Sequence, residues 1–174
     1  MYDVAIAMLP ATIWGVMQFG IYSLIVVVAT VLSCVLSEYL FETLMHKPVT
    51  ISDGSALVTG MILGLNMPPA IPLWMPILGG VFAIIVVKQL YGGLGQNWMN
   101  PALAARCFML ISFAQAMTKF TDPVTDAVAS ATPLAAIKAG DTYDLAAMFI
   151  GKIPGTIGEV SVIALFNRCS LPAR

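Results

Sequence analysis

Long uncharged stretches alternate with short polar breaks, and the lengths of those stretches predict the elements. No charge falls between Val4 and Ser37, a run of 34 residues. A single helix needs only about 20 residues to cross the hydrocarbon of a bilayer. Two helices joined by a tight turn near Gln18–Gly20 are therefore predicted. Pro10 lies inside the first and is expected to kink or end it. The second, from Ile21 to about Leu44, contains the run LIVVVATVLSCVL. Its β-branched residues suit a strand in water, but at this length in lipid a helix satisfies its own backbone and an open strand does not. Met45-His46-Lys47-Pro48 closes the pair, and Ser52-Asp53-Gly54-Ser55 offers hydroxyl or carboxylate caps for a new helix.

A second uncharged run, Ser55 to Val87, is 33 residues long and is broken by Asn66-Met67-Pro68-Pro69, Pro72 and Pro76. It predicts a short helix from Ser55 to about Leu65, an irregular turn, and a helix from about Leu73 to Tyr91. Gly60 and Gly64, four apart, would let a neighbouring helix come close. Broken backbone at membrane depth is tolerated only where protein covers it or a cavity is lined. Gly92-Gly93-Leu94-Gly95 reads as a tight re-entrant turn. Trp98 stands where a dinucleotide-binding loop would have its third glycine, and no strand precedes it. Asn100-Pro101 is a strong helix start, with Asn as cap and Pro at the first helical position, and the helix is predicted to run to about Met117. From Lys119 the character changes. Asp122, Asp126, Asp141, Asp144 and Glu159 fall here with Lys119, Lys138 and Lys152. Three regions follow: a transmembrane helical region over 1–118, an extracytoplasmic loop over 119–158 expected to hold the chemistry, and a last segment over 159–174.

Composition narrows the class. Hydrophobic residues make up 59 % and charged residues 10 % of the chain, with a mean hydropathy of +0.91; a soluble domain has about 45–50 % and about 25 %. Disorder is excluded, a soluble enzyme is not expected because too few polar residues are present to cover a globule, and an all-α polytopic membrane protein is expected. Eight Lys and Arg against nine Asp and Glu make no basic footprint for nucleic acid. Cys34, Cys107 and Cys169 stand apart, read as small buried side chains, and no metal site is expected. The opening MYDVAIAML has no basic leader region and starts almost inside a helix, as if residues preceded it. Lys47, Lys88 and Arg106 flank turns on one side, which would put the 119–158 loop on the other, outer side. Arg106, near the start of its helix, is expected either to snorkel or to pair with a carboxylate such as Asp53 or Glu159, or with a cofactor. His46 reads as an interfacial residue rather than a ligand. No carboxylate is recognised in the middle of an apolar segment, so no ion path is expected within this chain alone.

The most informative stretch is TDAVASATPLAAIKAG, from Thr125. As local structure it is a small-residue turn before a helix capped by Thr132, with Pro133 first in the helix. As chemistry it is an accessible threonine hydroxyl that can be esterified to a phosphate-bearing cofactor, with a helix N-terminus to favour the phosphate. Both readings fit the residues.

This stretch resembles the flavinylation segment of the family that contains the D subunit of Rnf-type ion-translocating ferredoxin:NAD oxidoreductases and the B subunit of the sodium-translocating NADH:quinone oxidoreductase. Asp126 lies six residues before Thr132, as in the family, and Ala131-Thr132 matches; Ala129 and Ser130 stand where Ser or Thr and Gly are usual. SDGSALVTGMILGLNMPP, GGLGQNWMNPALAARCFMLISF and GTIGEVSVIALF resemble the same family in the same order. The resemblance implies FMN joined to Thr132 through a phosphoester, with Asp126, Ser130, Ala131, Pro133 and Leu134 forming the attachment segment. It implies a second, noncovalent flavin (riboflavin) that no residue here marks. It also implies a flavin transferase for maturation, other membrane subunits of the complex as partners, and the inner (cytoplasmic) membrane of a prokaryotic cell. The implied fold is urea-transporter-like, with inverted repeats of broken helices. This chain would supply about five transmembrane helices, one of them broken or re-entrant, as half of that fold. Asp53-Gly54-Ser55-Ala56-Leu57 and Glu159-Val160-Ser161-Val162-Ile163 form a faint internal repeat. Asn167 to Arg174 departs from the family, so a fragment or a truncated, divergent form is expected. The alternative from another class is a channel or transporter for a small polar solute, suggested by the broken helix and the repeat.

Overall fold

A computed structural model describes residues 1–93, 95–121, 128–129 and 155–158. The regular elements among the described residues are helical apart from one two-residue antiparallel ladder. α1 (Tyr2–Phe19) and α2 (Ile21–Leu44) meet at Gly20, whose φ of 80° suits glycine at this turn. α1 continues through Pro10, so the proline does not end the helix. A 3-10 turn (Ile51–Asp53) leads into α3 (Ser55–Leu65). α4 (Trp74–Phe82) passes without a break into a π-helical segment (Ala83–Gln89). α5 (Pro101–Ser112) and the single turn α6 (Ala114–Met117) follow, so the helix expected to reach Met117 is interrupted at Phe113. β1 (Phe120–Thr121) pairs antiparallel with β2 (Val128–Ala129), Phe120 opposite Ala129.

Of the described helices, α2 is both long and apolar enough to cross a bilayer, while α3, Trp74–Gln89 and α5 are shorter apolar helices. The cap geometry divides. The Asn100 side chain accepts from Ala102 N at 3.0 Å with Pro101 first in the helix, as expected. At α3 the capping position is Gly54, in left-handed conformation, and no side chain caps the helix.

α2 is the element around which the others pack. α3 lies against it where a side chain would not fit: a Cβ on Gly60 would stand 2.7 Å from Val31 Cα, and one on Gly64 3.1 Å from Val27 Cα. α4 crosses the same helix at Ser33, which donates to the Ile77 carbonyl at 2.8 Å. α5 stacks Phe108 on Phe82 of α4 at 4.2 Å. Val26, Val27, Leu63, Met75 and Met109 fill the space between them.

The irregular backbone after α3 is covered. Met67, Pro68 and Ile71 are buried, and Tyr22 donates to the Ile71 carbonyl at 2.9 Å. Gly158 N donates to the Leu65 carbonyl at 2.8 Å and Ile157 N to the Met67 carbonyl at 3.2 Å. Carbonyls freed by the helix break thus find donors inside the protein, as an apolar surrounding demands.

Candidate functional site

Asp126, Ser130, Ala131, Thr132, Pro133 and Leu134 lie outside the described residues. The described chain approaches them through β2. Its partner β1 follows Lys119, which lines a cavity of about 660 Å³ together with Ala70, Pro72, Met75, Ile111 and Phe113. Trp74 meets Phe113 edge to face at 5.2 Å beside it. Among the described residues, this cavity combines apolar and aromatic walls with one cationic side chain, next to the start of β1.

A second constellation was not foreseen. Glu38 and Glu42 lie one turn apart on α2 and are buried, at 0 % and 2 % exposure, although the sequence pattern marked no carboxylate within an apolar segment. Lys88, read as a flanking charge that reports topology, is also buried at 2 % and pairs with Glu38 Oε1 at 2.5 Å. Its ammonium is neutralised inside the protein, so it carries no orientation signal. Lys88 Nζ also donates to Ser55 Oγ at 2.6 Å. Gln89 Nε2 reaches Glu38 Oε1 and Glu42 Oε1, each at 3.3 Å. Thr50 N donates to Glu42 Oε2 at 3.0 Å, and Thr50 Oγ1 bonds Glu42 Oε1 and lies 3.5 Å from Glu38 Oε1.

The π segment explains how Lys88 and Gln89 both enter this cluster. Its wider turn narrows the angle between consecutive side chains, so two neighbours can face the same helix; such turns recur at functional sites. The charges sum to one more negative than positive, and Glu38 Oε2 is buried without a hydrogen-bond partner among the described residues. The signal that could have found the cluster is Glu38 and Glu42 at i, i+4, one face of a helix, but it sits at the end of a run otherwise read by its apolar residues.

Other expectations resolve individually. Arg106 is half-buried and donates to the side-chain oxygen of Asn66, the residue that ends α3, so it ties α5 to the helix break. Asp53, one of its expected partners, is exposed, and Glu159 lies outside the described residues. Cys34 is buried as expected; Cys107 is exposed, because its position on α5 faces away from α4 and α3, which corrects that reading. His46 is exposed, has a φ of 54° and lies just beyond α2. Gly92, Gly93 and Gly95 all have positive φ, in keeping with a tight turn.

A family model described as "NQR2, RnfD, RnfE family" matches residues 1–167. Over 171 residues the chain is 46 % identical to the D subunit of the Na(+)-translocating ferredoxin:NAD(+) oxidoreductase complex of Acetobacterium woodii, a match covering 95 % of this chain and 54 % of that one. It is 40 % identical over 179 residues to the D subunit of the proton-translocating ferredoxin:NAD(+) oxidoreductase complex of Clostridium ljungdahlii, with the same coverage of 95 % and 54 %. Identity to the D subunit of the ion-translocating oxidoreductase complex of Rhodobacter capsulatus is 32 % over 200 residues, covering 95 % and 56 %. The chain spans about half the length of these curated relatives.

Proposed function

The chain belongs to the NQR2, RnfD, RnfE family, and from that membership we propose that it serves in a membrane-bound, ion-translocating ferredoxin:NAD oxidoreductase complex and carries electrons through FMN esterified to Thr132. The observation that carries this reading is the 46 % identity to the D subunit of such a complex, over a match that covers 95 % of the chain. The partners are the other membrane subunits of that complex and a flavin transferase for maturation. The loop of 119–158 lies on the outer side of the inner membrane. The architecture is half of an inverted-repeat, urea-transporter-like fold, a reading supported by the protein-covered break after α3.

The chain's own residues suit a flavin. FMN supplies reversible one- and two-electron chemistry, and the protein supplies attachment, orientation and electrostatics. Asp126, Ser130, Ala131, Pro133 and Leu134 form the segment around the Thr132 hydroxyl. Thr132 follows Ala129 by three residues, and Ala129 pairs with Phe120, the neighbour of Lys119. The cavity beside Lys119 offers Phe113 and Met75 as apolar walls for a planar ring, and an ammonium for an anionic group. A second, noncovalent riboflavin belongs to the same proposal without assigned residues.

The test is covalent attachment. The chain, co-expressed with its flavin transferase and denatured, is expected to keep yellow fluorescence on a gel and to carry the mass of an FMN phosphoester. Thr132→Val removes both. An unmutated chain without bound flavin under these conditions overturns the reading. Flux of a small polar solute in liposomes, without flavin, would favour a channel or transporter instead.

A further inference from the structure

Tyrosine and tryptophan sort differently from phenylalanine on this molecule. Tyr2, Tyr22, Tyr39, Trp74, Tyr91 and Trp98 are exposed. Every phenylalanine whose burial is described is partly buried. Burial driven by apolar area alone would not separate the rings in this way. A ring with a polar tip has a place at a membrane–water boundary that a phenyl ring lacks.

The exposed rings fall at two levels. Tyr22 donates to the Ile71 carbonyl at 2.9 Å, which brings it level with Trp74 at the start of α4. Tyr39 follows Glu38, whose partner Lys88 lies just before Tyr91, and the Tyr91 ring stands 6.4 Å from that of Trp98. Tyr2 joins this second level through its bond to the Ser52 carbonyl at 2.9 Å. Tyr22 and Tyr39 on α2 are 17 positions apart, and so are Trp74 and Tyr91. At the helical rise that separation is about 26 Å, against about 30 Å for the hydrocarbon of a typical bilayer. Between the levels α2 turns Ile25, Val28, Leu32 and Leu36 outward, a stripe at helical spacing. The exposed charges Asp3, Lys47, Asp53 and Lys119 lie at or beyond the two levels. Glu38 and Lys88, at the second level, are buried against each other.

We propose that the two headgroup boundaries of the bilayer lie at Tyr22–Trp74 and at Tyr39–Tyr91–Trp98. Acyl chains cover the stripe on α2, and the phenol and indole groups meet the carbonyl and phosphate region of the lipid. The helix of Trp74–Gln89 then crosses the bilayer, although it is shorter than the roughly 20 residues usual for a span. The helix break after α3 sits at one boundary, tied there by Tyr22, and the Glu38–Lys88 pair sits at the other. Because the slab is thinner than average, the protein favours lipids with shorter chains. The inference rests on the membrane-bound part of the proposed function and is independent of flavin at Thr132.

The experiment uses the three tryptophans of the chain, Trp14, Trp74 and Trp98, one at a time, with the other two replaced by Phe. The full chain is reconstituted in phosphatidylcholine vesicles whose acyl chains carry bromine near the ester end or near the methyl end. Ester-end bromines are expected to quench Trp74 and Trp98 fluorescence several-fold more than methyl-end bromines. Trp14, partly buried on α1 between the two levels, is expected to show the reverse order. Methyl-end bromines dominating at Trp74 or Trp98, no lipid quenching of either ring, or a Trp14 as shallow as the other two overturns the placement. The unmutated chain should also melt at a higher temperature in short-chain than in long-chain phosphatidylcholine, and the opposite order contradicts the slab thickness. A chain that alkaline carbonate strips from the vesicles overturns the membrane location itself, an outcome distinct from wrong depths in a chain that stays inserted.

Discussion

Lys88 keeps its charge inside the protein because Glu38 meets it there, and that dependence is measurable. Removing one partner of a buried pair leaves the other uncompensated and costs about 3–5 kcal/mol. Lys88→Met is therefore expected to lower the thermal midpoint of the protein in detergent strongly, and adding Glu38→Gln to it should recover much of the loss. A double variant as unstable as the single one would contradict the pairing. Exposure separates two cysteines on the same grounds. A maleimide reagent in mild detergent is expected to label Cys107, which is exposed, and to spare Cys34, which is buried, until the chain is denatured; peptide mapping reads the result. At this scale the sequence was legible only in part. Asn100 and Pro101 act locally and could be read, since a cap needs only the next few residues. Glu38 and Lys88 are 50 positions apart, and nothing local ties one to the other.

Element by element, the breaks are more legible than the packing. Gly20, the Asn66–Pro72 stretch and the Gly92–Gly95 loop separate helices where glycine and proline predict it. Pro10 is the exception: α1 continues through it. The π segment is invisible in the sequence because no residue type encodes it, yet it brings Lys88 and Gln89 together onto α2. Gly60, whose spacing from Gly64 predicts a close helix approach, provides one. Gly60→Leu would drive a side chain into the Val31 backbone, and overpacking of this kind costs about 1–3 kcal/mol. The expected outcome is a lower denaturation midpoint than for an exposed substitution such as Leu103→Ala, measured in the same detergent.

Across the whole molecule, residues 155–158 return to the break after α3 and donate to its carbonyls. Gly158 is the point of closest fit, since a Cβ there would lie 2.8 Å from the Leu65 side chain. Gly158→Val is expected to undock the segment, leaving buried carbonyls short of donors at about 1–3 kcal/mol each. The measurement is hydrogen exchange: the Ile157 and Gly158 amides should lose protection while those of α2 keep theirs, and unchanged protection would refute the docking. The sequence by itself determined the membrane class, the starts of α2, α3 and α5, and the family, because hydrophobic run length, helix-start residues and ordered motif blocks are local properties that survive without coordinates. The tertiary structure decided where the charges go. Burial and ion pairing arise only when α2, α3 and the π segment come together, and that meeting turned an apparent flanking lysine into the partner of a buried glutamate.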